Sequence, residues 1–158
     1  TVSGDGVKTP KTLKVRIGTP LKDLIQSCGG FQGNPGRIVL GNPLDGMAQL
    51  SLDRPVLKDT RWLWVQPKDQ VVKEKYRACI NCGDCVDICP MHLMPNFLGK
   101  YCEFAKYEEA ADQYDLFTCI ECGLCAYVCP SRRPLVHFIK LGKQELSLKK
   151  KENANADE

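Results

Sequence analysis

The sequence has no run of eighteen or more consecutive apolar residues, so none of it is expected to span a bilayer. No charged segment followed by an apolar one opens the chain, so no export leader is expected either. A Gly-rich dinucleotide fingerprint, a P-loop and a nucleophile–base arrangement are all lacking, which argues against nucleotide binding and hydrolytic chemistry. Charge of one sign is also lacking. The 22 Lys+Arg and 19 Asp+Glu leave a net charge of +3, too slight to point to nucleic acid or an anionic membrane. At 158 residues there is room for one ordinary domain or two small ones, and 43% hydrophobic with 26% charged residues is a composition that folds. The opening Thr1-Val2-Ser3 lacks a methionine and leads straight into strand-like sequence, so the chain reads as a piece of a longer protein or a processed one.

Cysteine is what the sequence has in excess. Eight of its ten cysteines fall in two short windows. Residues 79–90 read CINCGDCVDICP and residues 119–130 read CIECGLCAYVCP, a repeat at an offset of forty residues. Both follow C-x2-C-x2-C-x3-C-P. In that pattern three thiolates wrap one iron–sulfur cube, while the fourth, displaced by a turn and followed by proline, ligates the other cube. Two [4Fe–4S] clusters are therefore expected, one held by Cys79, Cys82, Cys85 and Cys129, the other by Cys119, Cys122, Cys125 and Cys89. Gly83 and Gly123 stand in the tight loops, where the lack of a Cβ lets backbone N–H groups approach sulfide. An electron carrier needs none of the missing motifs, because a cluster passes one electron without a bound organic substrate.

Two other uses of cysteine compete. Extracellular disulfide scaffolds spread their cysteines to staple distant loops, whereas tight clusters suit metal ligation in a reducing compartment. A zinc-stabilised interaction module without redox function would also use C-x2-C hooks, but zinc does not call for the third cysteine or the Cys-Pro step. Cys28 and Cys102 lie outside the motifs on apolar helical faces and read as buried structural thiols. His92 and His137 read as packing or surface residues rather than cluster-tuning ones.

The organisation is α+β. Leu13, Val15 and Ile17 alternate with Lys14 and Arg16, as in a half-buried strand. Thr19 reads as an N-cap and Pro20 as a first helical position, with Leu21, Leu24, Ile25 and Cys28 on one face and Gly29-Gly30 as the stop. Runs at Arg37–Leu40, Met47–Leu52 and Arg61–Val65 suggest further strands, the last placing Trp62 and Trp64 on one face, as core or interface. A small domain over 1–68 is expected, then a helical one over 69–147 that begins with a charged helix, Gln70–Ala78. Within it Pro95 opens a helix with Phe97, Leu98, Tyr101, Cys102 and Ala105 on one face, Glu108–Tyr114 forms a second, and a last helix runs from about 134 to 146. Residues 148–158 read as a disordered tail.

With VKTPKTLKVRIGTPLKDLI, CGGF, both cysteine motifs and ECGLCAYVCPSRRPLVHFIK in view, residues 1–147 resemble the C-terminal part of the Rnf complex C-subunit family, the membrane-associated ferredoxin:NAD oxidoreductases that couple electron flow to ion transport. The resemblance implies a β-grasp SLBB (soluble-ligand-binding) domain followed by an α-helical ferredoxin domain with two [4Fe–4S] clusters. It implies a peripheral place on the cytoplasmic side of the inner membrane, among other subunits of a membrane-bound redox complex. Its further partners would be a ferredoxin-type electron carrier and the family's N-terminal flavin and NADH module. That module lies outside this sequence, so no NADH or flavin site is expected here. A cobalamin reductase-like protein with the same pair of domains is the alternative parent. Of the charges nearest the motifs, Asp84 and Asp87 are expected to outweigh solvated Arg132 and Arg133, giving the first cluster the lower potential.

Overall fold

The computed structural model describes residues 1–72 and 75–156. The chain divides into two compact units, Thr1–Glu74 and Lys75–Glu158.

The first unit is built on a four-stranded sheet of β1 (Val2–Ser3), β2 (Pro35–Leu40), β3 (Met47–Ala48) and β4 (Leu63–Pro67), in the order β1-β4-β2-β3. Strand β1 runs parallel to β4, with Val2 opposite Leu63, while β2 is antiparallel to both β4 and β3. A parallel pair cannot be joined by a tight turn, and helix α1 (Leu21–Ser27) lies in the long connection between them. Its face of Leu21, Leu24 and Ile25, continued by Cys28, buries against Val2, Val7, Val56, Leu63 and Val65. Full burial of Leu21 contributes about 1.5–3 kcal/mol. Gly29 and Gly30, at φ +81° and +84°, end the helix as expected. Its N-cap is Pro20 rather than Thr19, whose hydroxyl donates instead to the Arg16 carbonyl at 2.8 Å.

Leu13–Ile17 is not a strand. Lys11 makes one isolated bridge to Val2, and beyond it residues 13–17 have no strand partner among the described residues, leaving Val15 40% and Ile17 69% exposed. Alternation offers a face, but a strand also needs a neighbour to take its hydrogen bonds. The Met47–Leu52 run shrinks to the two residues of β3 for the same reason, with Leu50 fully exposed. In β4 the inward pair is Leu63 and Val65. Trp62 and Trp64 take the opposite parity, and the Trp62 indole donates to Ser3 Oγ at 2.6 Å.

The second unit is helical: α2 (Asp84–Asp87), α3 (Pro95–Glu103), α4 (Tyr107–Tyr114), α5 (Leu124–Tyr127) and α6 (Leu135–Ala156). Pro95 occupies the first turn of α3, where its missing N–H costs nothing. Leu98 and Cys102 bury against Ala110, Leu116, Ile139 and Leu146. Ala105 departs from the expected face, because the helix ends at Glu103 and Ala105 takes φ +57°. The expected helix over Gln70–Ala78 is not formed: Gln70 closes a 3-10 turn from Lys68, and residues 71, 72 and 75–78 have no helix. Lys73 and Glu74 lie outside the described residues. Val72 and Tyr76 are 55% and 44% exposed, so they do not form the continuous buried face that would hold a short helix.

The expected disordered tail is also corrected. Helix α6 continues to Ala156, and only residues 157 and 158 of that tail lie outside the described residues. No proline interrupts the Lys, Glu and Ala of this segment, which are good helix formers. Lys149 pairs with Glu108 of α4 at 2.5 Å, and Lys150 Nζ sits 5.2 Å from the Phe117 ring centre. Among the described residues no helix is long and apolar enough to cross a membrane.

Helix α6 passes its neighbours at Gly142, where a Cβ would lie 2.6 Å from Cys102 Sγ and 3.3 Å from the Tyr107 ring. Gly142→Ala is expected to lower stability by about 1–3 kcal/mol, since overpacking outweighs the gain in helix propensity. A drop in thermal midpoint checks this, and an unchanged or raised midpoint refutes it.

Candidate metal centre

The two cysteine motifs fold alike, position by position. In each, the second residue after the first cysteine has a left-handed backbone, Asn81 at φ +56° and Glu121 at φ +58°. Its N–H donates to the sulfur of that cysteine, Asn81 N to Cys79 Sγ and Glu121 N to Cys119 Sγ, both at 3.4 Å. The next left-handed positions are Gly83 (φ +92°) and Gly123 (φ +80°), which start the one-turn helices α2 and α5. A Cβ at Gly83 would meet no protein atom within 4 Å, so the sign of φ calls for glycine there, not crowding. His92 and Arg132, three residues past the fourth cysteine of each motif, share φ +52° and +53°. Left-handed non-glycine residues are costly, and here they recur at the forty-residue offset wherever the loop must turn its N–H groups inward.

This winding gathers the thiols into two recesses. Cys79, Cys82 and Cys85 line one together with Cys129 from the second motif. Cys119, Cys122 and Cys125 line another together with Cys89 from the first. Leu93 N donates to Cys89 Sγ at 3.4 Å, so the displaced cysteine also receives a backbone donor. Among the described residues no three Cys, His, Asp or Glu side chains converge closely enough to hold one metal ion. Four thiols spread around each recess fit a polynuclear group, whereas four sulfurs on a single zinc at about 2.3 Å would crowd to a point.

Burial, with the neighbouring Cys119 and Cys122 adding to it, pushes the Cys125 thiol up to about 12. Burial also raises Cys85 and Cys119. Burial thus favours the protonated thiols, and a bound iron–sulfur cluster would supply the positive charge that makes them thiolate ligands.

The recesses differ in their linings. Asn81, Asn96, Ser131 and Arg133 line the first. Arg133 is 8% exposed, contrary to the solvated arginine expected from sequence. Its guanidinium pairs with Glu103 and lies 5.6 Å and 5.9 Å from the ring centres of Tyr76 and Phe138. The Tyr76 hydroxyl donates to the other Glu103 oxygen at 2.9 Å. Burial opposes ionisation of Glu103, but the bonds from Arg133 and Tyr76 hold its carboxyl below the ordinary value. The second recess is lined by Met91, Leu93, Leu98, Val136 and Ile139, with Glu121 as its charged member. Lys143 of α6 donates to the Cys119 carbonyl and pairs with Glu121 at 2.9 Å. Asp84 and Asp87 are exposed and line neither recess.

Buried Arg133 and half-buried Asn96 and Lys143 are not marked as site residues by the sequence, because nothing local shows which polar side chain a distant helix will cover. Cys28 and Cys102 are buried, at 0% and 1% exposure, and line neither recess. Burial pushes Cys102 up to about 11. Both thiols are expected to stay unreactive toward an aromatic disulfide reagent at neutral pH until denaturant is added. Fast labelling of either in the native protein refutes this. His92 and His137 are both exposed.

An SLBB domain family matches residues 1–48, and a 4Fe-4S dicluster domain family matches residues 78–132. The C subunit of the proton-translocating ferredoxin:NAD(+) oxidoreductase complex of Clostridium ljungdahlii is 46% identical over 145 residues, covering 92% of this chain and 32% of that protein. The C subunit of an ion-translocating oxidoreductase complex of Methanosarcina acetivorans is 39% identical over 158 residues, 100% of this chain and 35% of that protein. The C subunit of the Na(+)-translocating ferredoxin:NAD(+) oxidoreductase complex of Acetobacterium woodii is 39% identical over 146 residues, 92% and 33% of the two chains. Over nearly its whole length the chain is similar to the C subunits of such complexes. It spans about a third of the length of these relatives. The resemblance drawn from the motifs holds, as do the order of an SLBB domain before a dicluster domain and the pair of [4Fe–4S] clusters.

Proposed function

We propose that this part of a C subunit relays single electrons through two [4Fe–4S] clusters within a membrane-associated, ion-translocating ferredoxin:NAD oxidoreductase complex. The observation that carries the reading is the composition of the two recesses, each lined by three thiols of one motif and the fourth of the other. Cys79, Cys82, Cys85 and Cys129 hold the first cluster, and Cys119, Cys122, Cys125 and Cys89 hold the second. When bound, each cluster takes up and releases one electron with no organic substrate in contact. The protein's own share is to supply thiolates, aim the N–H groups of Asn81, Glu121 and Leu93 at sulfur, and cover the inner sides with α3 and α6.

The remaining assignments extend the resemblance carried by the two cysteine motifs. The other subunits of such a complex, the flavin and NADH module of the longer protein and a ferredoxin-type carrier are the electron partners. The place is peripheral, on the cytoplasmic side of the inner membrane. Residues 1–68 form the SLBB domain, which docks on the neighbouring module, and residues 69–147 hold the clusters. Anaerobic reconstitution followed by metal and sulfide analysis tests the reading. About eight irons, about eight sulfides and a brown band that bleaches on reduction support it. Two zinc ions in a colourless protein overturn it.

A further inference from the structure

The forty-residue repeat allows the two recesses to be compared residue for residue, and the comparison is one-sided. Where the first has Asn81, the second has Glu121; where it has Asn96, the second has Val136. Ser131 and Arg133 of the first correspond to Met91 and Leu93 of the second. Each exchange makes the first recess more polar or more positive. Access to solvent runs the same way, since Cys79 and Cys82 are exposed while Cys119 and Cys122 are half-buried. Asn96 adds a second observation. Its Oδ1 is buried with no hydrogen-bond partner among the described residues, and turning the amide over exchanges this orphan acceptor for an NH2 donor. Anionic sulfur in the recess is a partner for that donor.

Three factors that set the potential of an iron–sulfur cluster are nearby charge, hydrogen bonds to its sulfurs and solvent exposure. Charge and exposure favour the more negative reduced state in the first recess; the backbone donors do not, since Asn81 N on Cys79 is matched by Glu121 N on Cys119 and Leu93 N on Cys89, and the Asn96 side chain is the donor that the first recess adds. The opposing charges are weaker there. Asp84 and Asp87 are exposed, and exposed charges are screened by water and salt. Both cations are paired, Arg133 with Glu103 and Lys143 with Glu121, but the carboxylate lines the recess only in the second, where Glu121 is part of the wall; in the first the wall carries Arg133 and not Glu103.

Resting on the two-cluster reading above, we infer that Arg133 and Asn96 set the two centres apart in potential, the centre of Cys79, Cys82, Cys85 and Cys129 being the more easily reduced. An electron shared between them resides there at equilibrium: one centre is oxidised by one electron as the other is reduced by one, with no bond or proton changed. This reverses the order expected from Asp84 and Asp87 in the sequence alone.

The test is a redox titration of the reconstituted 158-residue chain, followed by electron paramagnetic resonance. Iron and sulfide content is measured first, so that failure to load two clusters counts against the proposed function and not against this inference. The wild type should titrate in two waves. Arg133→Leu, which copies Leu93 of the other recess, should lower the upper wave by about tenfold in equilibrium constant, about 59 mV for one electron. Asn96→Val, which copies Val136, should lower the same wave. Glu103→Gln keeps its shape and unmasks the Arg133 charge, so it should raise that wave. The lower wave should stay in place in all three, and Lys143→Met should move it alone. A single unsplit wave in the wild type, a shift of the lower wave by Arg133→Leu, or shifts of one sign from both Arg133→Leu and Glu103→Gln overturns the inference. If Arg133→Leu does not fold, Glu103→Gln and Asn96→Val decide it by their opposite signs.

Discussion

Replacing Cys129 by alanine should empty the centre formed by the other motif. Cys129 lines the recess of Cys79, Cys82 and Cys85, and Cys125, four residues before it, lines the other. Iron should fall from about eight toward four or fewer per chain, and the surviving resonance should be the one that Cys119→Ala removes. Cys89→Ala should do the reverse. The loss extends beyond the metal, because binding to thiols that do not form a site in the unfolded chain is itself folding free energy, of order 10 kcal/mol for tightly held structural metals. Cys85 and Cys125 form one buried cluster with Leu135 at the start of α6. Loss of one centre should therefore lower the thermal midpoint of the helical unit sharply and broaden the transition. If Cys129→Ala removes the same resonance as Cys119→Ala, the crossed arrangement is wrong.

Gly4→Ala should be the most damaging single methyl in the sheet. Gly4 has φ +105°, a backbone that an L-residue rarely adopts, and a Cβ there would lie 2.2 Å from the Val65 carbonyl oxygen and 2.9 Å from its carbonyl carbon and nitrogen. Val65 is a fully buried residue of β4, so the obstacle is backbone in the middle of the sheet, with no flexible side chain to give way. Strain at positive φ and overpacking each cost about 1–3 kcal/mol, and together about 3–5 kcal/mol, against a total stability of about 5–15 kcal/mol for a domain. The only two tryptophans, Trp62 and Trp64, both belong to this unit, so their fluorescence reports its unfolding separately from the visible absorbance of the clusters. A denaturant midpoint that falls in fluorescence while the cluster band keeps its own midpoint is the expected result. A Gly4→Ala curve that coincides with the wild-type curve refutes it.

Which parts of the molecule can be read from sequence follows from the range of the forces that make them. The motif loops are legible because C-x2-C-x2-C fixes short-range winding, and glycine at 83 and 123 marks a backbone sign that few other residues tolerate. Helix α1 is legible for the same reason: the stripe Leu21, Leu24, Ile25, Cys28 and the stop at Gly29-Gly30 are local. Leu13–Ile17 misleads because its alternation is local while strand formation is decided by a partner, and β4 is already paired with β1 and β2. Residues 148–156 mislead in the opposite sense, since a polar helix carries no apolar stripe, yet Glu108 and Phe117 on other segments hold it. Arg133 is the residue whose sequence reading departs furthest from its place in the fold. Its burial depends on Glu103, thirty residues away, and on Tyr76 and Phe138, so a residue that reads as a solvated cation after a Cys-Pro step becomes part of the recess wall.

The exchange of the fourth thiol between motifs bears on how such a chain can be divided. Split between α3 and α4, the helical unit yields an N-terminal and a C-terminal half. Each would keep three ligands of its own recess and the ligand its sibling lacks. Neither half is self-sufficient, yet the two are complementary, so they are built to be rescued by co-expression and not by either piece alone. A half-length chain bearing one motif would find its fourth ligand only on a second copy of itself. The intact chain thus has the logic of a reciprocal dimer joined end to end, in which neither partner can be lost or drift without disabling the other.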